Sequence, residues 1–281
     1  MTSMVFFNDA LCPESEIAIH PADPGYAFGE GVFETIRSYQ GRPFKLQEHL
    51  LRLRLGLKQL EIPEPSCLAE SAAIIKRLLM ANQLLTTEAV IRITVSRGST
   101  ACPQNSFPVF LISADRLNLK EMRRRKQGLK AEFAAWRRDA KNPLLKIKSL
   151  NYLENRLALR QAQKLGFDEA IFLNQEGALC EGSFSNLFII ADNHLYTPPL
   201  PAGILAGITR NFILQNAAQV DLTASEKALF PSDLKKAAGA LLTSSLMETA
   251  PLLQLGHQHF DSKKISAITK ALDQLFRQAT Q

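Results

Sequence analysis

The sequence predicts a mixed α/β protein built as two consecutive domains. Segments that alternate with the period of a strand are interleaved with segments whose apolar residues recur at three and four, the period of a helix. This mixture occurs twice, on either side of residues 115–127, a stretch dense in charge and without a strand pattern, which reads as a linker. The boundary is therefore set near residue 120, giving a small α/β domain over 1–120 and a larger domain over 121–281.

Taken in order, residues 4–7 make a first strand, and a loop holding Pro13, Pro21, Pro24 and Gly25 runs on to Tyr26. Residues 32–39 alternate as a strand, and Gln40 and Gly41 turn the chain into a short strand over 43–46, so the pair is a β-hairpin. Over 47–60, Leu50, Leu53, Leu57 and Leu60 line one helix face, and Pro63 and Pro65 end the helix. A second helix spans 68–80, with Ala69, Ala72, Ile75, Leu78 and Leu79 able to cover one side. Strands over 89–96 and 109–114 follow, joined by a loop. Beyond the linker come a strand over 129–136, a helix over 152–165, and short strands over 169–174, 178–181, 187–191 and 194–197. Gln175, Glu176 and Gly177 supply one turn, Asp192 and Asn193 another. Pro198, Pro199 and Pro201 lead to a helix over 208–218, a buried strand over 240–243, and a last amphipathic helix over 262–279 capped by Asp261 or Ser262.

The 281-residue length and 46% apolar content permit a sizeable core. The longest apolar runs have strand length, far short of the ~20 residues of a membrane helix. The N-terminus lacks the basic region of a signal peptide, so a cytoplasmic location is expected. Cys12, Cys67, Cys102 and Cys180 form no Cys-x-x-Cys pair and the five histidines show no ligand spacing, so neither a disulfide framework nor a metal site is expected. The net charge is +6, and the basic run Arg123, Arg124, Arg125 and Lys126 has no interleaved aromatics. It reads as a solvated face rather than a nucleic-acid surface, and the positive balance fits a small anionic substrate or cofactor.

The chemistry concentrates between Lys146 and Phe188. Lys148 precedes a helical run, and its neighbours Leu144, Leu145, Ile147 and Leu150 are apolar. Desolvation lowers a lysine's pKa and frees the amine to attack a carbonyl, which makes Lys148 a candidate Schiff-base former. Glu181 lies in a strand-rich tract and is followed by the small residues Gly182, Ser183 and Ser185, which would let a planar ring approach the backbone. A carboxylate there could hold a ring nitrogen protonated. Gly207, Ile208 and Thr209 open a helix, and Thr243, Ser244 and Ser245 end a strand with three hydroxyls; both suit a phosphate, as does the guanidinium of Arg52. Read singly, Thr209 is a helix cap, Ser245 a turn residue and Arg52 a surface charge.

The segments FGEGVFETIR, EHLLRL, KSLNYLENRLA, DEAIFLNQEGALCEGSFSNLF, YTPPL, GILAGITR and TSSLMETAP occur in this order between Asp23 and Pro251. Together they resemble the class IV pyridoxal-phosphate aminotransferases and lyases, which include branched-chain aminotransferase, D-amino-acid aminotransferase and aminodeoxychorismate lyase. The resemblance implies pyridoxal 5′-phosphate as cofactor, with Lys148 forming the Schiff base and moving the proton, and Glu181 at the pyridine nitrogen. It implies that Arg52, Ile208, Thr209 and Ser244 hold the phosphate and that Asn151 and Tyr152 flank the ring. The implied fold is a small two-layer α/β domain followed by a larger barrel-like α/β domain, with the cofactor in the cleft and a homodimer completing each site.

Two reactions fit that cofactor, amino-group transfer from an amino acid and loss of pyruvate from 4-amino-4-deoxychorismate to give p-aminobenzoate. D-amino-acid aminotransferases usually carry an arginine and a histidine soon after the Arg-Gly of this strand, whereas Arg97-Gly98 is followed by STACPQNS. Ser245-Leu246-Met247 and GILAGITR resemble the lyases. The lyase is therefore the expected activity, with a branched-chain or D-amino-acid aminotransferase and a fold kept for binding without turnover as alternatives. Arg97 is the candidate for a substrate carboxylate or else a structural ion pair, and Phe33 faces the substrate or belongs to the core. Ser245 is placed near the substrate.

Overall fold

The computed structural model describes residues 3–99, 108–191 and 193–280. The expected loop over 100–107, with Cys102, and the turn residue Asp192 lie outside the described residues. The chain divides into two compact units, Met1–Leu117 with Ile147–Asn151, and Asn118–Lys146 with Tyr152–Gln281. The segment that carries Lys148, expected in the second domain, thus belongs to the first. The reason is backbone pairing, described below.

The first unit contains β1 (Met4–Phe7), β2 (Ala10–Pro13), α1 (Pro24–Phe28), β3 (Gly31–Tyr39), β4 (Arg42–Pro43), α2 (Leu46–Gln59), α3 (Ser71–Ala81), β5 (Ala89–Ser96) and β6 (Val109–Arg116). Its strands form one antiparallel sheet in the order β2-β1-β6-β5-β3-β4. Alternation decides which face is covered: Val32 and Ile36 of β3 join Ile91 and Ile93 of β5 in a core with Leu50, Leu53 and Leu57 of α2 and Ile75 and Leu78 of α3. The expected hairpin exists, but its second strand is two residues long. Lys45 takes a left-handed conformation (φ 52°) and α2 starts at Leu46.

The second unit contains α4 (Leu119–Lys126), β7 (Leu129–Arg138), α5 (Leu153–Lys164), β8 (Glu169–Asn174), β9 (Leu179–Gly182), β10 (Asn186–Ala191), β11 (His194–Thr197), α6 (Ile208–Asn216), β12 (Thr223–Glu226), α7 (Pro231–Leu234), β13 (Gly239–Ser244), β14 (Glu248–Leu255), β15 (Gln258–His259) and α8 (Ser262–Thr280). Its sheet runs β12-β11-β10-β13-β14-β7-β8-β9, and an additional β9–β10 pairing closes β10, β13, β14, β7, β8 and β9 into a ring. This is the barrel-like sheet of the expected α/β fold. The stretch read as a linker is largely α4, capped by Asn118, whose side chain accepts the Glu121 amide. Charge obscured its helical character: Arg124 and Arg125 bond Glu121, Arg124 also bonds Asp168, and Lys126 bonds Glu248 and Asp273. Arg124, Arg125 and Lys126 of the basic run are thereby paired along their own helix and onto its neighbours.

No described helix is long and apolar enough to cross a membrane. Among the described residues no group of three or more His, Cys, Asp or Glu side chains could hold a metal ion.

Candidate active site

Lys148 lies on a segment that anneals to the start of β3. Lys148 O accepts the Phe33 amide at 2.9 Å, the Leu150 amide donates to Gly31 O at 2.9 Å, and Ser149 bridges antiparallel to Val32. Gly31 is needed here, because a Cβ would run into Val95 O and a Leu150 methyl. The half-buried Lys148 amine stands 4.5 Å from the centre of the Phe33 ring, and the Arg92 guanidinium stands over that ring at 4.1 Å. Phe33 is buried, and it places two cations on one aromatic side chain. Asn151 follows and donates to Gly29 O at 2.9 Å.

On α2, Arg52 bonds Glu34 through two contacts of 2.7 Å, and His49 Nδ1 lies 2.6 Å from Glu34 Oε2. Glu34 is fully buried. Burial alone would raise its carboxyl, but the charge and hydrogen bonds of Arg52, with those of His49, outweigh it and hold the group at about 2, below its ordinary 4.5. Burial also holds the His49 imidazole below its ordinary 6.5, against the pull of Glu34. A carboxyl depressed on folding contributes stability that is complete above its unfolded value and lost as the pH falls toward its folded one. An imidazole depressed on folding acts with the same sign below 6.5. Glu34→Gln is therefore expected to flatten the fall in stability between pH 4.5 and 2. At neutral pH it should cost about 3 kcal/mol or more, because Arg52 loses its buried countercharge. Urea midpoints against pH check both, and an unchanged acid limb would count against the assignment.

In the second unit Glu181 is buried near the end of β9, and Arg138, Asn186 and Leu205 donate to its carboxylate. Arg138 reaches Oε1 at 3.2 Å, and the Asn186 amide and the Leu205 backbone N–H reach Oε2 at 3.1 and 3.0 Å. Arg138 is itself buried, lies over the Phe172 ring at 3.4 Å, and donates to Glu154 at 3.0 Å and Asn155 at 2.9 Å. Burial, then the charge of Glu181, push the adjacent Cys180 thiol up to about 12, so it stays protonated and unreactive.

Strand register extends the site. Glu181 lies opposite Asn186, Asn186 opposite Thr243, and Thr243 opposite Thr249, so four polar residues form a row across β9, β10, β13 and β14. Among the described residues the buried Thr243 and Thr249 hydroxyls have no hydrogen-bond partner. Asn186 also donates to Leu205 O, and a Cβ on Gly207 would collide with Asn186 Oδ1. Gly207 precedes α6 without a side-chain cap, which leaves the first-turn amides at Ile208 and Thr209 without an intrahelical acceptor. Ser244 accepts the Met247 amide at 3.4 Å within the β13–β14 turn, where Ser245 is half-buried. Tyr152 sits at the start of α5 with its ring 5.4 Å from that of Phe184.

Of the residues singled out in the sequence, Lys148, Phe33, Arg52 and Asn151 lie on the first unit, and Glu181, Tyr152, Ile208, Thr209, Ser244 and Ser245 on the second. Arg97 is bonded to Glu30, to Leu60 O at 2.6 Å and to Glu61 O at 3.2 Å, an internal ion pair and two carbonyl contacts. Sequence reading missed Arg92, although AVIRITVS alternates and places it on the side of β5 away from the core. It also missed Arg138 and the Glu34–His49 pair, whose partners are distant in sequence, and Asn186, five positions after the Glu181 it bonds.

A family model described as amino-transferase class IV matches residues 31–255. The chain is 31% identical over 278 residues to an aminodeoxychorismate lyase of Bacillus subtilis (98% of this chain, 94% of that one) and 32% identical over 273 residues to a D-alanine aminotransferase of Bacillus licheniformis (95% and 93%). Its structure matches the branched-chain amino acid aminotransferase from Escherichia coli with a TM-score of 0.87 at 25% identity, covering 99% of this chain and 94% of that one. The chain belongs to the class IV aminotransferase family, whose enzymes depend on pyridoxal 5′-phosphate. In the first unit a primary amine and a guanidinium suit parts of that group; in the second, a buried carboxylate, a helix N-terminus without a side-chain cap and, among the described residues, unpartnered hydroxyls in the carboxylate's own row suit others.

Proposed function

We propose that this chain is a lyase acting on 4-amino-4-deoxychorismate to give p-aminobenzoate and pyruvate. The observation that carries the reading is the β13–β14 turn, where Ser245-Leu246-Met247 resembles the lyases and Met247 is buried in the loop joining the paired Thr243 and Thr249. The similarity to the Bacillus subtilis lyase over nearly the whole chain supports it. Pyridoxal phosphate, when bound, supplies an electron sink for the substrate's amino carbon.

The protein's own groups do the rest in this reading. Lys148 would hold the cofactor through its amine and move the proton at the reacting carbon. Glu181, kept anionic by Arg138 and oriented by Asn186, holds the ring nitrogen protonated. Arg52, braced by Glu34, and the amides of Ile208 and Thr209, with Ser244, hold the phosphate. Asn151 and Tyr152 flank the ring. Arg92 takes a substrate carboxylate, since Arg97 is committed to Glu30 and two carbonyls. A homodimer completes the proposal.

The second reading, amino-group transfer, is favoured by the similarity to D-alanine aminotransferase at 32% identity, beside 31% for the lyase. Supplying 4-amino-4-deoxychorismate to the cofactor-loaded protein separates the two. Pyruvate release is expected, with Ser245 substitutions shifting KM. Absence of pyruvate, together with amino-group exchange between a D- or branched-chain amino acid and a keto acid, would establish the transferase instead.

A further inference from the structure

The four residues between Glu181 and Asn186 bend around a single carboxylate that the chemistry above does not use. Glu169, buried at the start of β8, accepts at Oε1 from the Ser183 amide (3.0 Å), the Ala170 amide (2.9 Å) and the Ser183 hydroxyl. At Oε2 it accepts from the Ser185 hydroxyl (3.0 Å) and the Phe184 amide (3.4 Å). Among the described residues these partners are amides and hydroxyls, with no cation. Gly182 leaves room for the arrangement, because a Cβ there would meet Ser185 Oγ and stand 3.0 Å from Glu169 Oε2. The turn closes when the Gly182 amide donates to Ser185 O at 2.7 Å.

Everything this turn presents belongs to the candidate site. Its two ends are Glu181 and the Asn186 that bonds it. Its tip, the partly exposed Phe184, packs on Tyr152. Its Ser183 carbonyl accepts from Asn155, which in turn accepts from Arg138. A carboxylate only accepts hydrogen bonds, so one placed inside a turn obliges the surrounding N–H and O–H groups to point inward. That fixes the path of the backbone.

We propose that Glu169 is a positioning residue for cofactor binding: it shapes the 182–185 turn so that Glu181, Asn186 and Phe184 are held ready before the cofactor arrives. The inference rests on the assignment of Glu181 to the cofactor. Glu169→Ala removes five accepted bonds, and Glu169→Gln keeps the carbonyl facing Ser183 while its amide donates to a rotated Ser185 hydroxyl and opposes the Phe184 amide.

Hydrogen exchange on the cofactor-free full chain and pyridoxal phosphate titration by absorbance, both well below the unfolding temperature, test this. In Glu169→Ala the Phe184 amide should lose protection, the Ser183 amide keeping its bond to Ala170 O at 2.9 Å, and the dissociation constant should rise by about tenfold or more. In Glu169→Gln only Phe184 should lose protection, with most of the affinity retained. If Glu169→Ala does not fold, the Phe184-selective loss in Glu169→Gln decides. Wild-type affinity in Glu169→Ala, or unchanged exchange at the Phe184 amide, would overturn the proposal. A wild-type chain that fails to bind the cofactor would instead remove the Glu181 assignment, while the exchange result would still report on the turn.

Discussion

Lys148→Ala is expected to abolish turnover, by a factor on the order of 10^4, while leaving the cofactor-free fold intact. The separation follows from how the segment is held. Its attachments to β3 are backbone hydrogen bonds at Lys148 O and Leu150 N, which any side chain at position 148 retains. Alanine gives up the amine's contact with Phe33, a cation–aromatic pair worth about 0.5–1 kcal/mol at a partly exposed site. Lys148→Arg separates the remaining possibilities, since it restores a cation over Phe33 but supplies a delocalised group unable to form the covalent bond. Both variants should unfold near the wild-type temperature and both should be inactive. Borohydride reduction after incubation with pyridoxal phosphate, followed by peptide mapping, checks the chemistry: wild type should carry its label on Lys148, and neither variant should be labelled at that position. A wild-type label confined to another lysine would end the assignment.

The parts of this molecule legible in its sequence are those encoded locally. The amphipathic run of α2 and the alternation of β5 are periodic patterns, and both elements appear where expected. The motif order between Asp23 and Pro251 was sufficient for the family. What stayed hidden is encoded by pairing across distance. The domain membership of Lys148 depends on two backbone bonds to residues more than a hundred positions earlier. Arg138 becomes part of the Glu181 site only because β7 and β8 run parallel and β9 folds back along β8. Likewise β14, unremarked in the sequence, supplies Thr249 to the polar row through its pairing with β13. The helix α4 was hidden differently, since its sequence LKEMRRRK has too few apolar residues to mark a face and is held by ion pairs.

Glu181→Gln is expected to lower turnover by about 10^2-fold or more, the scale seen when a preorganised charge-stabilising group is removed from a reacting centre. The substitution preserves shape and removes charge. Its amide keeps one acceptor oxygen, so either Arg138 or the Asn186–Leu205 pair faces an N–H2 group. The buried Arg138 retains Glu154 and Asn155, so the fold should survive the change. Arg138→Met tests why the guanidinium is there. If its role is to keep Glu181 ionised and aimed, the two substitutions act on one interaction, and the double variant should be hardly worse than Glu181→Gln alone. Additive losses in turnover would mean that Arg138 acts elsewhere. The pH dependence of the bound cofactor's visible absorbance supplies a reading independent of rate: the transition should shift in the same direction in both single variants. Wild-type spectra and turnover in Glu181→Gln would remove the carboxylate from the mechanism and leave Arg138, Asn186 and Leu205 holding a structural group.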